Sequence, residues 1–167
     1  MAFHDLCEAL ETLLVQHEQL LTFAQQKKEA LISNDVSLLT EMVNKESRLV
    51  KLILETEARR QKAVAAFLVE KGLGQLPDIK VTDLTRMITN AEEKLKLSDL
   101  AERLIQAVER LKALNNINVR LTQQSIEFND FSLSLLTGIY DDQDFVYKKP
   151  SDLSQGQLNL KFFDSKA

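Results

Sequence analysis

Apolar residues recur through the first 71 residues at alternating steps of three and four, and no glycine or proline interrupts them. That rhythm keeps one face of a helix apolar, and the missing breakers let the helices run long. In the first segment Phe3, Leu6, Leu10, Leu13, His17, Leu20, Ala24, Lys27 and Leu31 form the stripe, which Cys7, Leu14 and Leu21 widen on one side. A face this broad belongs to a bundle helix rather than a two-stranded seam. Ser33-Asn34-Asp35 then punctuates the pattern, and Asn34 or Asp35 can cap the next helix. The second stripe, with Leu39, Met42, Leu49, Ile53, Val64, Phe67 and Leu68, is interrupted by charge at Glu46 and at Glu57/Arg60. The short link predicts an antiparallel hairpin.

Gly72, Gly74 and Pro77 end the second helix. Thr82 then predicts a capped short helix anchored by Leu84, Met87 and Ile88, and Ser98-Asp99 predicts the start of a third long one. Its stripe runs Leu100, Leu104, Ala107, Leu111, Leu114, Asn118, Leu121, Ser125, Phe128, Ser132, Leu135 and Ile139. From Asp141 the rhythm stops, and Pro150, Gly156 and scattered Asp and Ser oppose helix. The expected fold is all-α. It is an elongated antiparallel bundle of three long helices, at 3–32, 35–71 and 98–140, with one short connecting helix at 82–95. An irregular C-terminal tail follows, so the domains are 1–140 and 141–167.

Composition narrows what such a bundle can do. Aromatics are 6% of the chain and Trp is absent, so the core is aliphatic. A net charge of −4 argues against nucleic-acid binding, which needs a basic face for phosphates. The single cysteine, Cys7, rules out a disulfide scaffold and fits a reducing cytoplasm. No segment has the roughly 18 apolar residues a membrane helix needs. Asp5 and Glu8 lie where a signal peptide would be basic and then apolar. His4, Cys7, Glu8 and His17 are the one cluster with metal-ligating chemistry, but His17 lies about 15 Å beyond Cys7 along a helix. Neither a metal site nor a cofactor is expected. Cys7 reads as a small buried apolar group. No glycine loop or pinned nucleophile suggests an enzyme.

Two features point to partner binding instead. Asn118, Ser125 and Ser132 fall at seven-residue steps inside an apolar stripe, with Asn115 and Asn129 nearby. A buried Asn either fixes helix register or marks a groove that takes a partner helix. On the second reading Asn118, Leu121, Ser125, Phe128, Phe131 and Leu135 line the groove. Five of the ten aromatics lie in the last 28 residues, and Phe145, Phe162 and Phe163 can anchor a tail that clamps the partner.

These residues carry a resemblance. The chain resembles the FlgN family of flagellar export chaperones over residues 5–141. The likeness rests on Leu13, Glu18, Leu21 and Lys28-Glu29-Ala30-Leu31, on Asn34-Asp35 and Leu38-Leu39, and on Glu46, Leu49, Glu57 and Arg60. It resumes with Asn115, Asn118, Leu121, Ser125, Leu133, Leu136 and Tyr140-Asp141, and includes the terminal Phe163-Asp164-Ser165-Lys166-Ala167. Residues 75–98 fall outside it. The resemblance implies a cytoplasmic protein, monomeric or weakly dimeric. It would bind the C-terminal regions of the hook–filament junction proteins FlgK and FlgL, prevent their premature assembly, and deliver them to the type III export gate. It further implies that Tyr140 contacts the gate protein FlhA. The alternative is a dimeric coiled-coil adaptor or regulatory scaffold that buries the same stripes in a second copy; mass in solution separates the two.

Overall fold

The small residues Ala9, Ala24 and Ala30 let the first helix approach its neighbour closely, and all three are buried. The computed structural model describes residues 1–72, 74 and 79–138. Every regular element among them is an α-helix: α1 (Ala2–Ser33), α2 (Val36–Glu70), α3 (Val81–Met87) and α4 (Ala91–Thr137). The all-α expectation holds, with three long helices and one short one.

Asn34 and Asp35 share the turn between α1 and α2. Asn34 adopts the left-handed conformation (φ 57°, ψ 34°), which suits Asn better than most residues. Asp35 N–H then reaches back to the Ala30 carbonyl at 2.8 Å and closes the helix end. The Asp35 side chain caps α2 by accepting from Leu38 N–H at 2.9 Å. The hairpin is antiparallel, because early α1 residues meet late α2 residues. Arg59 pairs with Glu8, Gln16 Nε2 donates to Thr56 Oγ1 at 3.1 Å, and Lys27 pairs with Glu46 at 2.6 Å. Lys27, a position in the first stripe, and Glu46, a charge that interrupts the second, neutralise each other across the seam.

The connection differs from the expected one. The short helix ends at Met87, and α4 begins at Ala91 rather than at Ser98. The cause is Asn90, whose side chain accepts from Glu92 N–H at 2.9 Å and Glu93 N–H at 3.3 Å. Ser98 and Asp99 therefore lie inside α4, and Asp99 pairs with Arg103 one turn on. Thr82 does not cap α3, since Lys80 occupies the N-cap position. Gly72 ends α2 at φ 72°, whereas Pro77 lies outside the described residues. So do the last two residues of the expected third helix and the whole tail, 141–167.

The chain divides into two units, 1–128 and 129–167. In the first, the main core joins the N-terminal part of α1, the C-terminal part of α2, α3 and the start of α4. Leu6, Cys7, Leu10, Phe67, Leu68, Leu84, Ile88, Leu97 and Leu100 are buried together there. Phe3 tilts against Phe67, with ring centroids 6.2 Å apart. Cys7 is buried as expected of a small apolar side chain, and burial pushes its thiol pKa up. Of the second unit, 129–138 is described and comprises the last turns of α4 and Gly138.

Glu57 and Arg60 form a two-point pair, at 2.6 and 2.8 Å, on one turn of α2. The hydrogen bonds from Arg60 hold the Glu57 carboxyl below its usual range, against partial desolvation. A depressed carboxyl pKa stabilises the fold above the unfolded-state pKa, and this contribution is lost as pH falls through the folded-state value. Because the pair is partly exposed, Glu57→Gln should cost at most about 1 kcal/mol at pH 7. In urea unfolding, wild type and variant should converge as the pH is taken below the carboxylate range.

Candidate functional site

The buried residues of α4 are Leu97, Leu100, Ala107 and Asn118, and none follows Asn118 among the described residues. Beyond Ala107 burial along α4 falls off: Leu111, Leu114, Asn115, Leu121 and Ser125 are half-buried, Asn118 alone among the described residues is buried, and the helix no longer fills the space beside α1 and α2. A groove of about 780 Å³ opens there within the first unit. One wall is Leu31 at the end of α1 with Leu39 and Val43 at the start of α2. The other is α4, with Asn115, Asn118, Val119, Thr122 and Ile126. Val119 and Ile126 are 65% and 55% exposed, a large apolar surface to leave in water.

Asn118 ties the two walls together. It is 5% exposed, and its Nδ2 donates to the Ala24 carbonyl of α1 at 2.8 Å. Thr122 satisfies its own hydroxyl by donating to the Asn118 carbonyl at 2.8 Å. The side-chain oxygens of Asn115 and Asn118 are buried and meet no donor among the described residues. Lys27 lines the groove with its ammonium held by Glu46, and Glu127 lies on the lining as well. A second depression, of about 670 Å³, is lined by α1 and α4. Gln25, Gln26, Glu29 and Arg110 make it more polar.

Of the sequence-predicted residues, Asn118 lines the apolar groove. Leu121 and Ser125 are half-buried beside it and not part of its lining, and Ser125 donates its hydroxyl to the Leu121 carbonyl at 3.0 Å. Phe128 is 68% exposed. In the second unit Phe131 and Leu135 are exposed, as are Leu133 and Leu136. Tyr140, Phe145, Phe162 and Phe163 lie outside the described residues. Sequence reasoning missed Val43, Val119 and Ile126. The signal for Val119 and Ile126 was a second seven-residue series, Val119, Ile126 and Leu133, one position along from the chosen stripe, and for Val43 the series Val36, Val43 and Val50 on α2.

The site is apolar, open and lined by helices. Among the described residues no three His, Cys, Asp or Glu side chains gather as a metal site, and no helix is long and apolar enough to cross a membrane. What the groove can do is take up a slender apolar element such as a helix.

Residues 1–154 match the model of the family described as FlgN protein. The chain is also similar to the uncharacterized protein YvyG of Bacillus subtilis (strain 168), at 32% identity over 169 residues that cover the whole of both chains. No solved structure matches.

Proposed function

The chain belongs to the FlgN family, a family of flagellar export chaperones, and from that premise we propose that it is the cytoplasmic chaperone of the junction proteins FlgK and FlgL. The groove takes the apolar face of an amphipathic helix from the C-terminal region of the client. Covering that face keeps the client from assembling early, and no chemistry is needed. The unfilled aliphatic groove between α4 and the hairpin carries this reading. Leu121, Ser125 and Phe128 extend the client contact in the first unit. Phe131 and Leu135 in the second unit, with Phe145, Phe162 and Phe163 in the tail, supply further anchors. Isothermal titration of the purified chain with FlgK and with FlgL tests the proposal. A one-to-one complex at micromolar affinity or tighter supports it, and no heat of binding to either refutes it.

Delivery requires a second contact, and Tyr140 supplies it by binding the export gate protein FlhA. Tyr140→Ala should weaken FlhA binding about tenfold, near 1.4 kcal/mol, and leave client affinity unchanged. Loss of client affinity with normal FlhA binding would refute that role.

One observation favours the adaptor reading. Val36, Val43 and Val50 recur at seven-residue steps along α2 and are exposed, as a dimer seam would need. Sedimentation of the free chain decides between them: a stable dimer supports the adaptor, a monomer or weakly associating species the chaperone.

A further inference from the structure

Asn115 and Asn118 lie one helical turn apart on α4, and both line the groove. Each buries a side-chain oxygen that meets no donor among the described residues. An unpaired buried acceptor costs stability, and leucine at either place would avoid that cost. Nor can Asn118 rotate to present its amide N–H instead, because its Nδ2 is committed to the Ala24 carbonyl at 2.8 Å. The aliphatic walls, Leu31, Leu39, Val119 and Ile126, have no donor to offer, and two donors on the lining are engaged elsewhere: Thr122 donates to the Asn118 carbonyl at 2.8 Å and Gln123 Nε2 to Glu127 at 3.2 Å. Lys27, the cation on the lining, is held by Glu46 at 2.6 Å.

The missing donor therefore arrives with the occupant. Beyond its first turn a helix uses its own backbone N–H groups internally, so a donor in the middle of its face is a side chain. A carboxylate would set its lone pairs against both oxygens. A cation would have to be desolvated among aliphatic side chains, while Glu127 competes for it. An uncharged amide presents two N–H groups to two oxygens. We infer that the helix received by this groove carries a glutamine or asparagine in the middle of its apolar face, and that Asn115 and Asn118 select for it. The source of the helix rests on the chaperone reading; the selection rests on the two oxygens.

Asn115→Leu is the informative variant, since Asn118→Leu would also remove the bond to Ala24. Asn115→Leu should raise the melting temperature of the free chain and weaken FlgK binding about tenfold. Unchanged or tighter FlgK binding would overturn the inference. If wild type fails to bind FlgK and FlgL, the chaperone reading falls, and a second arm decides the selection alone. Designed helical peptides of about five turns, with an aliphatic face and Gln, Leu or Glu at its centre, are titrated by fluorescence polarisation. The Gln peptide should bind about tenfold tighter than the Leu peptide, with the Glu peptide weakest. That order should collapse in the variant carrying both Asn115→Leu and Asn118→Leu. A Leu peptide that binds as well as the Gln peptide, or binding by none of the three, overturns the inference.

Discussion

Replacing Val119 and Ile126 together with aspartate is expected to weaken FlgK or FlgL binding a hundredfold or more while barely changing thermal stability. Burying one aliphatic side chain is worth roughly 1.5–3 kcal/mol, so losing two such contacts already reaches about 3 kcal/mol. Two carboxylates facing an apolar client add a desolvation cost. The fold should tolerate the change because Val119 and Ile126 are 65% and 55% exposed and lie outside the main core. Titration calorimetry and a melting curve on the same sample check both halves. Normal affinity in a folded double variant would move the client site away from this groove. A large fall in melting temperature would mean that these side chains serve the fold.

Phe67→Ala should do the reverse. Phe67 is 1% exposed, the largest of the fully buried side chains among the described residues, and packs with Phe3 in the main core. Truncating a buried Phe typically costs about 3–5 kcal/mol through lost transfer energy and the cavity left behind. For a chain of this size that lowers the melting temperature by roughly 6–20 °C. At low temperature, where the variant remains folded, client affinity should stay close to wild type, because Phe67 is not among the groove residues. Differential scanning calorimetry gives the first number and titration well below the transition gives the second. A stability loss under about 1 kcal/mol would contradict the cavity term expected for this site.

The two variants separate two uses of the same kind of helix face. Around Phe67, apolar residues of α1, α2, α3 and α4 meet in one core. Around Val119, α4 buries Asn118 alone among the described residues and leaves Val119 and Ile126 at the edge of a groove. The bond from Asn118 to the Ala24 carbonyl ties α4 to α1 beside that groove.

Much of this was legible in the residue order. The three–four rhythm and the absence of Gly and Pro before Gly72 specified α1 and α2, because both act within a few residues of themselves. Asn34 and Asp35 marked the turn for the same reason, since caps bond to backbone one turn away. Asn90 was equally local. Its capping pattern with Glu92 and Glu93 was present in the sequence, but Ser98-Asp99 offered a rival start. The burial of Ile88 beside Leu84 accompanies the earlier break between α3 and α4.

What the sequence could not give was the partner of each face. Lys27 stood within one stripe and Glu46 interrupted the other, and only the packing of α1 on α2 made them a pair. The stripe through Asn118, Leu121 and Phe128 and the series through Val119 and Ile126 differ by one residue, about 100° around the helix. Periodicity shows that a helix has apolar faces; it does not say which one the hairpin leaves open. By itself the sequence determined the helices, their caps and the apolar series along α4. The tertiary structure decided that Asn118 turns toward Ala24 and leaves the groove beside Val119 and Ile126. The physical reason is that helix and cap energies are local, whereas burial depends on residues distant in the chain, here 94 positions apart.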